Sequence, residues 1–303
     1  VGGRRGGARR GLACVVACLV TAAPLLAGCD GGGDGDGPPA GGATSPATGP
    51  DAADLPRRRL LTVATFNVLG ASHTSPGGGA AEYYPPAAEW IGGTMRRIRT
   101  YRPDVLGLQE LQARQSAVLR RRLGDRFGYF GDLDNAVVWR RARLAVLERT
   151  TLTIPYFYDN LREMPVVVLR VRSTGDVVTV VNVHNPADVR GEVGDNRAEA
   201  VARERAFVEA ERAKGRAVLL VGDLNAEEEA FCALTEGGVL VAANGGSHRR
   251  GTCRPPDDAA IDWILGAGVE FNGFHSDASA REEKVSDHPF VVATVARLRP
   301  GRD

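Results

Sequence analysis

The sequence predicts an α/β domain over residues 57–303, a four-layer α/β/β/α sandwich of two facing mixed sheets with outer helices. Three observations carry that expectation. Aliphatic runs recur along the chain, helical stretches stand between some of them, and other runs follow one another across a turn alone. A single doubly wound parallel sheet would want a helix between every pair of strands, so hairpin-connected runs in both halves favour two packed sheets.

Residues 60–68 form the first apolar strand. Residues 89–101 read as a helix stopped by Pro103, and 104–108 as the next strand. Residues 111–123 give an Arg-rich amphipathic helix with Leu111, Val118, Leu119 and Leu123 on its apolar face. Short strands follow at 135–140, 144–152, 166–171 and 177–183, with Gly175-Asp176 turning between the last two. Residues 195–214 are helical, with acids and bases at helical spacing. Strands at 218–222, 261–265 and 290–295 complete the set.

The polar residues at the ends of these runs point to the chemistry. Gly222-Asp223-Leu224-Asn225-Ala226 follows the run Ala217-Val218-Leu219-Leu220-Val221, and on a pleated strand Asp223 and Asn225, two apart, would point the same way. A carboxylate that orients water beside an amide that donates to phosphate is half of a phosphodiesterase site. The partners end their own runs: Thr65-Phe66-Asn67-Val68, Leu108-Gln109-Glu110, Val181-Asn182-Val183-His184, Ile261-Asp262-Trp263-Ile264-Leu265 and Ser286-Asp287-His288-Pro289-Phe290. Hard oxygen ligands suit Mg²⁺, with Mn²⁺ as the substitute, and a magnesium site needs only one or two carboxylates plus waters. Glu110 with Asn67 fits, and Asp287 is a further candidate ligand. Asp223 orients or deprotonates the water, with Asn225 bonding phosphate or fixing Asp223. His288 stabilises phosphorane charge or acts as base, and Asp262 is the acceptor that sets its tautomer. His184 faces a phosphoryl or leaving-group oxygen.

In all six motifs, and in their order between residues 60 and 295, the chain resembles the endonuclease/exonuclease/phosphatase superfamily, metal-dependent phosphodiesterases of DNase I-like fold. The resemblance implies the same four-layer sandwich and an Asp262–His288 pair. It also implies a phosphate contact for Arg162 in Leu161-Arg162-Glu163-Met164-Pro165, which matches in position an arginine of DNase-like relatives. After Asn67 the chain has Val68-Leu69-Gly70, where the abasic-site repair branch carries a second acid, which argues against DNA repair. Tyr156, Phe157 and Tyr158 are packing residues or a stacking surface, and His73 and His275 read as loop histidines.

The first residues are of another kind. Arg4, Arg5, Arg9 and Arg10 precede an apolar segment over 12–26, and Leu26-Ala27-Gly28-Cys29 closes it as a lipobox would. The segment is short of the ~20 residues that span a bilayer. A signal over residues 1–28, lipidation of Cys29 and a Gly/Pro-rich tether over 29–56 are therefore expected, placing a monomeric domain outside the cytoplasm on a lipid anchor, with plain secretion or a retained anchor as the alternatives. Of five cysteines, Cys232 and Cys253 remain in the domain, where an oxidising compartment favours a disulfide and free buried thiols are the alternative. DNase-like secreted relatives are similar in carrying a disulfide in this interval.

Setting aside the four arginines of the signal and five acids of the tether, from totals of 38 basic and 37 acidic residues, leaves a domain near neutrality. Bulk charge gives no sign of a polyanion partner, although a local basic groove remains open. A nuclease acting on DNA or other nucleic acid is the leading expectation. A phosphodiesterase or phosphatase on phospholipid headgroups or inositol phosphates comes second, and a non-catalytic surface module third.

Overall fold

The computed structural model describes residues 59–189, 191–299 and 301. The expected signal, Cys29 and the tether lie outside the described residues. The strands of the first half are β1 (Leu61–Asn67), β2 (Val105–Gln109), β3 (Phe127–Asp132), β4 (Asn135–Arg140), β5 (Leu144–Pro155), β6 (Leu161–Val171) and β7 (Val177–His184). Those of the second are β8 (Ala217–Asp223), β9 (Val241–Ala242), β10 (Ser247–Arg249), β11 (Thr252–Arg254), β12 (Asp262–Ala267), β13 (Val269–Asp277) and β14 (Phe290–Leu298). The helices are α1 (Ala71–Thr74), α2 (Ala87–Tyr101), α3 (Ala113–Leu123), α4 (Gly194–Ala213), α5 (Glu228–Thr235) and α6 (Ser279–Glu282).

Two six-stranded sheets result, in the orders β13-β14-β1-β2-β4-β3 and β5-β6-β7-β8-β12-β9, with β10-β11 as a separate hairpin. Each sheet has one parallel pair at its centre, β1 with β2 and β7 with β8, among antiparallel neighbours. Parallel strands deliver their C-terminal ends to one edge, which is how Asn67, Glu110, His184 and Asp223 come to lie at a common end.

The alternation along each strand explains the continuous apolar runs. Val63, Val105, Leu219 and Val221 pack between the sheets, whereas Phe66 and Leu108 meet Ile91, Met95 and Leu119 of the outer helices. On the other side Val218 and Leu220 join a cluster with Val201 and Val208 of α4. Both faces of these strands are covered, so both must be apolar. Truncating Leu219 to Ala would cost about 2–5 kcal/mol.

A polar belt crosses the inter-sheet core just below the common end. The Asn182 amide donates to the carbonyls of Leu108 (2.9 Å) and Ala136 (3.2 Å), and its Oδ1 accepts from Gln109. Gly107 makes room for it, since a Cβ there would stand 2.4 Å from Asn182 Oδ1. Each bridging bond is made in low dielectric, where an unmade one is costly, so the belt fixes the register of one sheet on the other.

Several expectations are corrected. β3, β13 and α5 were not expected, and β5 and β6 run longer than their apolar runs. His275 sits in β13 with its ring 5.6 Å from that of Tyr101, so it is a strand residue. His73 lies in the short α1. Cys232 and Cys253 are bonded, with their Cα atoms 5.6 Å apart, and hold α5 to the β10-β11 hairpin.

Candidate active site

Glu110 follows β2 in a left-handed conformation, φ 58°. This turns its carboxylate back over the end of β1, where Oε1 accepts from the Asn67 amide (3.1 Å) and Oε2 from the Gly70 N–H (2.7 Å). His73 Nε2 stands 3.3 Å from Oε2. Burial alone would raise the Glu110 carboxyl. The His73 hydrogen bond, the charge of His184 and the Gly70 and Asn67 donors outweigh it and hold the group well below the usual carboxylate range.

Asn67 joins the two sheets. The same amide nitrogen donates to Asp223 Oδ2 at 3.1 Å, while its oxygen accepts the Leu69 N–H. Asn67 thus spaces two carboxylates that would otherwise repel.

Asp223 is buried at the end of β8, where Gly222 has φ 146° and a Cβ would collide with the Val183 carbonyl at 2.0 Å. Only glycine allows β7 and β8 to approach this closely under the carboxylate. Asp223 Oδ2 is 3.8 Å from His184 Nε2 and 3.7 Å from His288 Nε2, so two imidazoles converge on one oxygen.

Asp262 opens β12 directly across from Asp223 in the ladder, and its Oδ2 meets His288 Nδ1 at 2.8 Å. Burial disfavours the charge on both, raising the Asp262 carboxyl to about 6 and opposing protonation of His288. The carboxylates of Asp262, Asp223 and Asp287 overcome that opposition and push His288 up to about 10. At neutral pH the pair is a carboxylate and an imidazolium. The Ser286 hydroxyl accepts the His288 N–H and donates to the Asn67 carbonyl, locking the lead into β14 onto β1.

One expected residue stands differently from the sequence reading, and the surroundings of two others can be described. Asn225 is not one pleat beyond Asp223. It has left β8 with φ 48°, its N–H donates to Asp223 Oδ1 (3.0 Å), and its amide donates to the Asn185 carbonyl (2.8 Å). Its place is to fix Asp223. Asp287 is outside the group formed by Asp223, Asp262 and His288, whose donor atoms lie within 4.8 Å of one another. Its hydrogen bonds are a long contact from the Ser286 hydroxyl and a carbonyl accepting from Arg281. Arg162 pairs with Asp134 and covers the Tyr156 ring at 4.4 Å.

Arg162, Tyr156, Glu110, His73 and His184 line one cleft of about 400 Å³. Tyr158, on its rim, is exposed and has φ 56°. Sequence reading missed His73, Asp134 and Ser286, which act on Glu110, Arg162 and Asn67. Ser286 stood in a quoted motif and offered a signal. His73 offered none, because its position depends on how the chain folds back after β1.

A cation between Asp223, Asp262 and His288 would have to displace the proton that binds the last two. The Glu110 carboxylate, held ionised and partly open to the cleft, fits a hard divalent ion better.

The sequence profile of the endonuclease/exonuclease/phosphatase family matches residues 64–288. The chain belongs to that family. No curated protein matches it. Among solved structures, the mannosyl-6-phosphatase of Bacteroides thetaiotaomicron is 18% identical, covering 78% of this chain and 99% of its own, with a TM-score of 0.61. The human nocturnin catalytic domain with bound sulfate is 16% identical over 78% of this chain and 94% of its own (TM-score 0.57). D. rerio TDP2 with single-strand DNA product is 15% identical over 78% and 98% (TM-score 0.56). At these identities the likeness is one of fold, a DNase I-like sandwich, and family membership makes the chain a hydrolase of phosphate esters.

Proposed function

We propose that the protein is a Mg²⁺-dependent phosphodiester hydrolase acting on nucleic acid outside the cytoplasm, with Mn²⁺ able to replace Mg²⁺. The observation that carries this reading is the convergence of His184 and His288 on Asp223 Oδ2, with Asp262 holding His288 charged. Asp223 takes a proton from the attacking water. The His288 imidazolium donates to a phosphoryl oxygen where negative charge develops, and in a water-poor site such a preplaced donor contributes a large share of the rate. His184 reaches the phosphoryl or leaving-group oxygen from the other side. Asn67 and Asn225 keep Asp223 in place.

Glu110, with Asn67 beside it, is the residue that would hold the divalent ion, which when bound neutralises charge on the phosphoryl oxygens. Support for nucleic acid comes from the cleft wall. Arg162 stands over the Tyr156 ring, and Tyr158 is exposed at the rim, a pairing of guanidinium and aromatic side chains that suits phosphate next to a base.

The test is incubation of the purified chain with plasmid DNA, with RNA and with phosphocholine-bearing vesicles, each with and without EDTA. Metal-dependent cleavage of either nucleic acid is expected. Release of phosphocholine with no nucleic-acid cleavage would replace this reading with the phospholipid one.

A further inference from the structure

The catalytic residues occupy one pole of the domain, and the opposite pole is built from the other ends of the same strands. β1 enters there at Leu61, β2 at Val105 and β3 at Phe127, and β4 leaves there at Arg140. Strands of this length separate the poles by about 20 Å.

Arginine dominates this far pole. Arg102, Arg120, Arg121, Arg126, Arg141 and Arg172 are all exposed, and among the described residues none of them pairs with a carboxylate. Elsewhere Arg96, Arg197, Arg203, Arg205 and Arg299 each have an acidic partner, whereas Arg114, Arg149, Arg170, Arg249, Arg250, Arg254 and Arg297 are scattered and have none among the described residues, so what distinguishes the pole is the crowding of its arginines. Backbone carbonyls hold two of these guanidiniums: Arg141 donates to Phe127 (2.9 Å) and Arg172 to Arg141 (2.8 Å). Asp104 is nearby but committed, to Arg143 at 3.4 Å and to the Thr62 N–H at 3.0 Å. Crowded like charges cost self-repulsion that an external anion relieves.

The surface is also concave. A hollow of about 580 Å³ between α3 and β3 is lined by Arg120, Arg121, Arg141 and Tyr129 together with one acid, Asp125, so three guanidiniums face a single carboxylate, and Arg120 lies over the Tyr129 ring at 4.8 Å. The preceding chain enters at this same pole. Leu60 donates to the Val295 carbonyl and accepts from Arg143, both at 2.7 Å.

We propose that this arginine pole is a docking surface for an anionic phospholipid bilayer, turning the catalytic pole away from the membrane. The proposal goes beyond the substrate reading and rests on it only in setting nucleic acid aside as the occupant. Nucleic acid is the competing polyanion. A duplex held there would lie about 20 Å from the catalytic groups, too far to be the strand they cut. A surface that faces a bilayer at the point where the chain arrives has no such conflict.

The measurement is sedimentation of the Cys29→Ser chain, which cannot be acylated at that position, with phosphatidylcholine vesicles with and without phosphatidylglycerol over a salt series. Binding is expected only with the anionic lipid and should fall as salt rises. The Arg120→Ser/Arg121→Ser double should weaken partitioning roughly 25-fold, from ~1 kcal/mol per arginine near an anionic leaflet. The matched double Arg249→Ser/Arg250→Ser should change it less than about two-fold. Unchanged hydrolysis in solution shows that each variant is folded; if the first is not, Arg102→Ser/Arg126→Ser takes its place. Equal loss in both doubles, no preference for anionic lipid, or, in a parallel titration of the same variants with duplex DNA, loss of DNA binding with vesicle binding intact would each overturn the proposal.

Discussion

Asp262 and Glu204 are both buried carboxylic acids, one opening β12 and the other in the middle of α4, and they are in opposite charge states at neutral pH. Neither oxygen of Glu204 has a hydrogen bond of ordinary geometry, nor does the Asn185 amide that lies against it. Burial pushes Glu204 up to about 8, so it is protonated. Asp262 suffers the same desolvation, but His288 Nδ1 at 2.8 Å holds it to about 6. The difference shows what burial does by itself and what a charged partner adds. A buried ion pair contributes little to stability, and the fold tolerates one where the Asp262 carboxylate favours an imidazolium facing the candidate catalytic Asp223.

Replacing Asp262 by Asn attacks this comparison most directly and should have the largest effect. It keeps shape and removes the charge that sustains His288, so kcat should fall by about 10³–10⁴, the scale seen when an orienting Asp is lost. In the parent, activity should rise as Asp262 loses its proton near pH 6 and decline as His288 loses its own near pH 10. The stability contributed by the raised His288 is complete below its unfolded value of ~6.5 and is lost as pH climbs through about 10. A rate profile for the Asn variant that keeps both limbs would break the assignment.

Glu204→Gln should act in the other direction. The unfolded acid ionises near pH 4 and the folded one near 8, so Glu204 costs stability progressively across that interval and most above it. Removing the ionisation should raise Tm, by a gain on the order of a few kcal/mol above pH 8 and little at pH 4. Thermal melts at the two pH values measure it, and equal shifts at both would show that Glu204 is not protonated.

The smallest effect belongs to His73→Ala. It removes the first of the interactions that lower Glu110, and should cost about ten-fold at low Mg²⁺ and little at saturation, as loss of a neighbour to a metal ligand does. A loss that persists at saturating Mg²⁺ would place His73 in the chemical step.

How far the sequence reveals this molecule varies with the distance over which a residue acts. Strands that carry aliphatic runs on both faces are legible, because two covered faces demand them. β3 and β13 are not, since Gly128, Gly131 and Gly273 interrupt their apolar pattern and each sits at a sheet edge. The candidate catalytic groups were legible by residue type and order. The turn of Asn225 out of β8 was not, because Asn enters the left-handed region without a sequence mark beyond its identity. His73 meets Glu110 only through the fold of the chain after β1, and the arginine pole is assembled from segments as far apart as Arg102 and Arg172. A near-neutral total charge conceals that separation.

The central claim is that Asp262 acts through His288 while Glu110 acts through a divalent ion. A magnesium titration of Asp262→Asn and Glu110→Gln on one phosphodiester substrate tests it. The Glu110→Gln defect should be recovered in part at high Mg²⁺, since a weakened ligand set can be filled by mass action, and the Asp262→Asn defect should stay constant throughout. Rescue of Asp262→Asn by metal, with Glu110→Gln unmoved, would contradict the account.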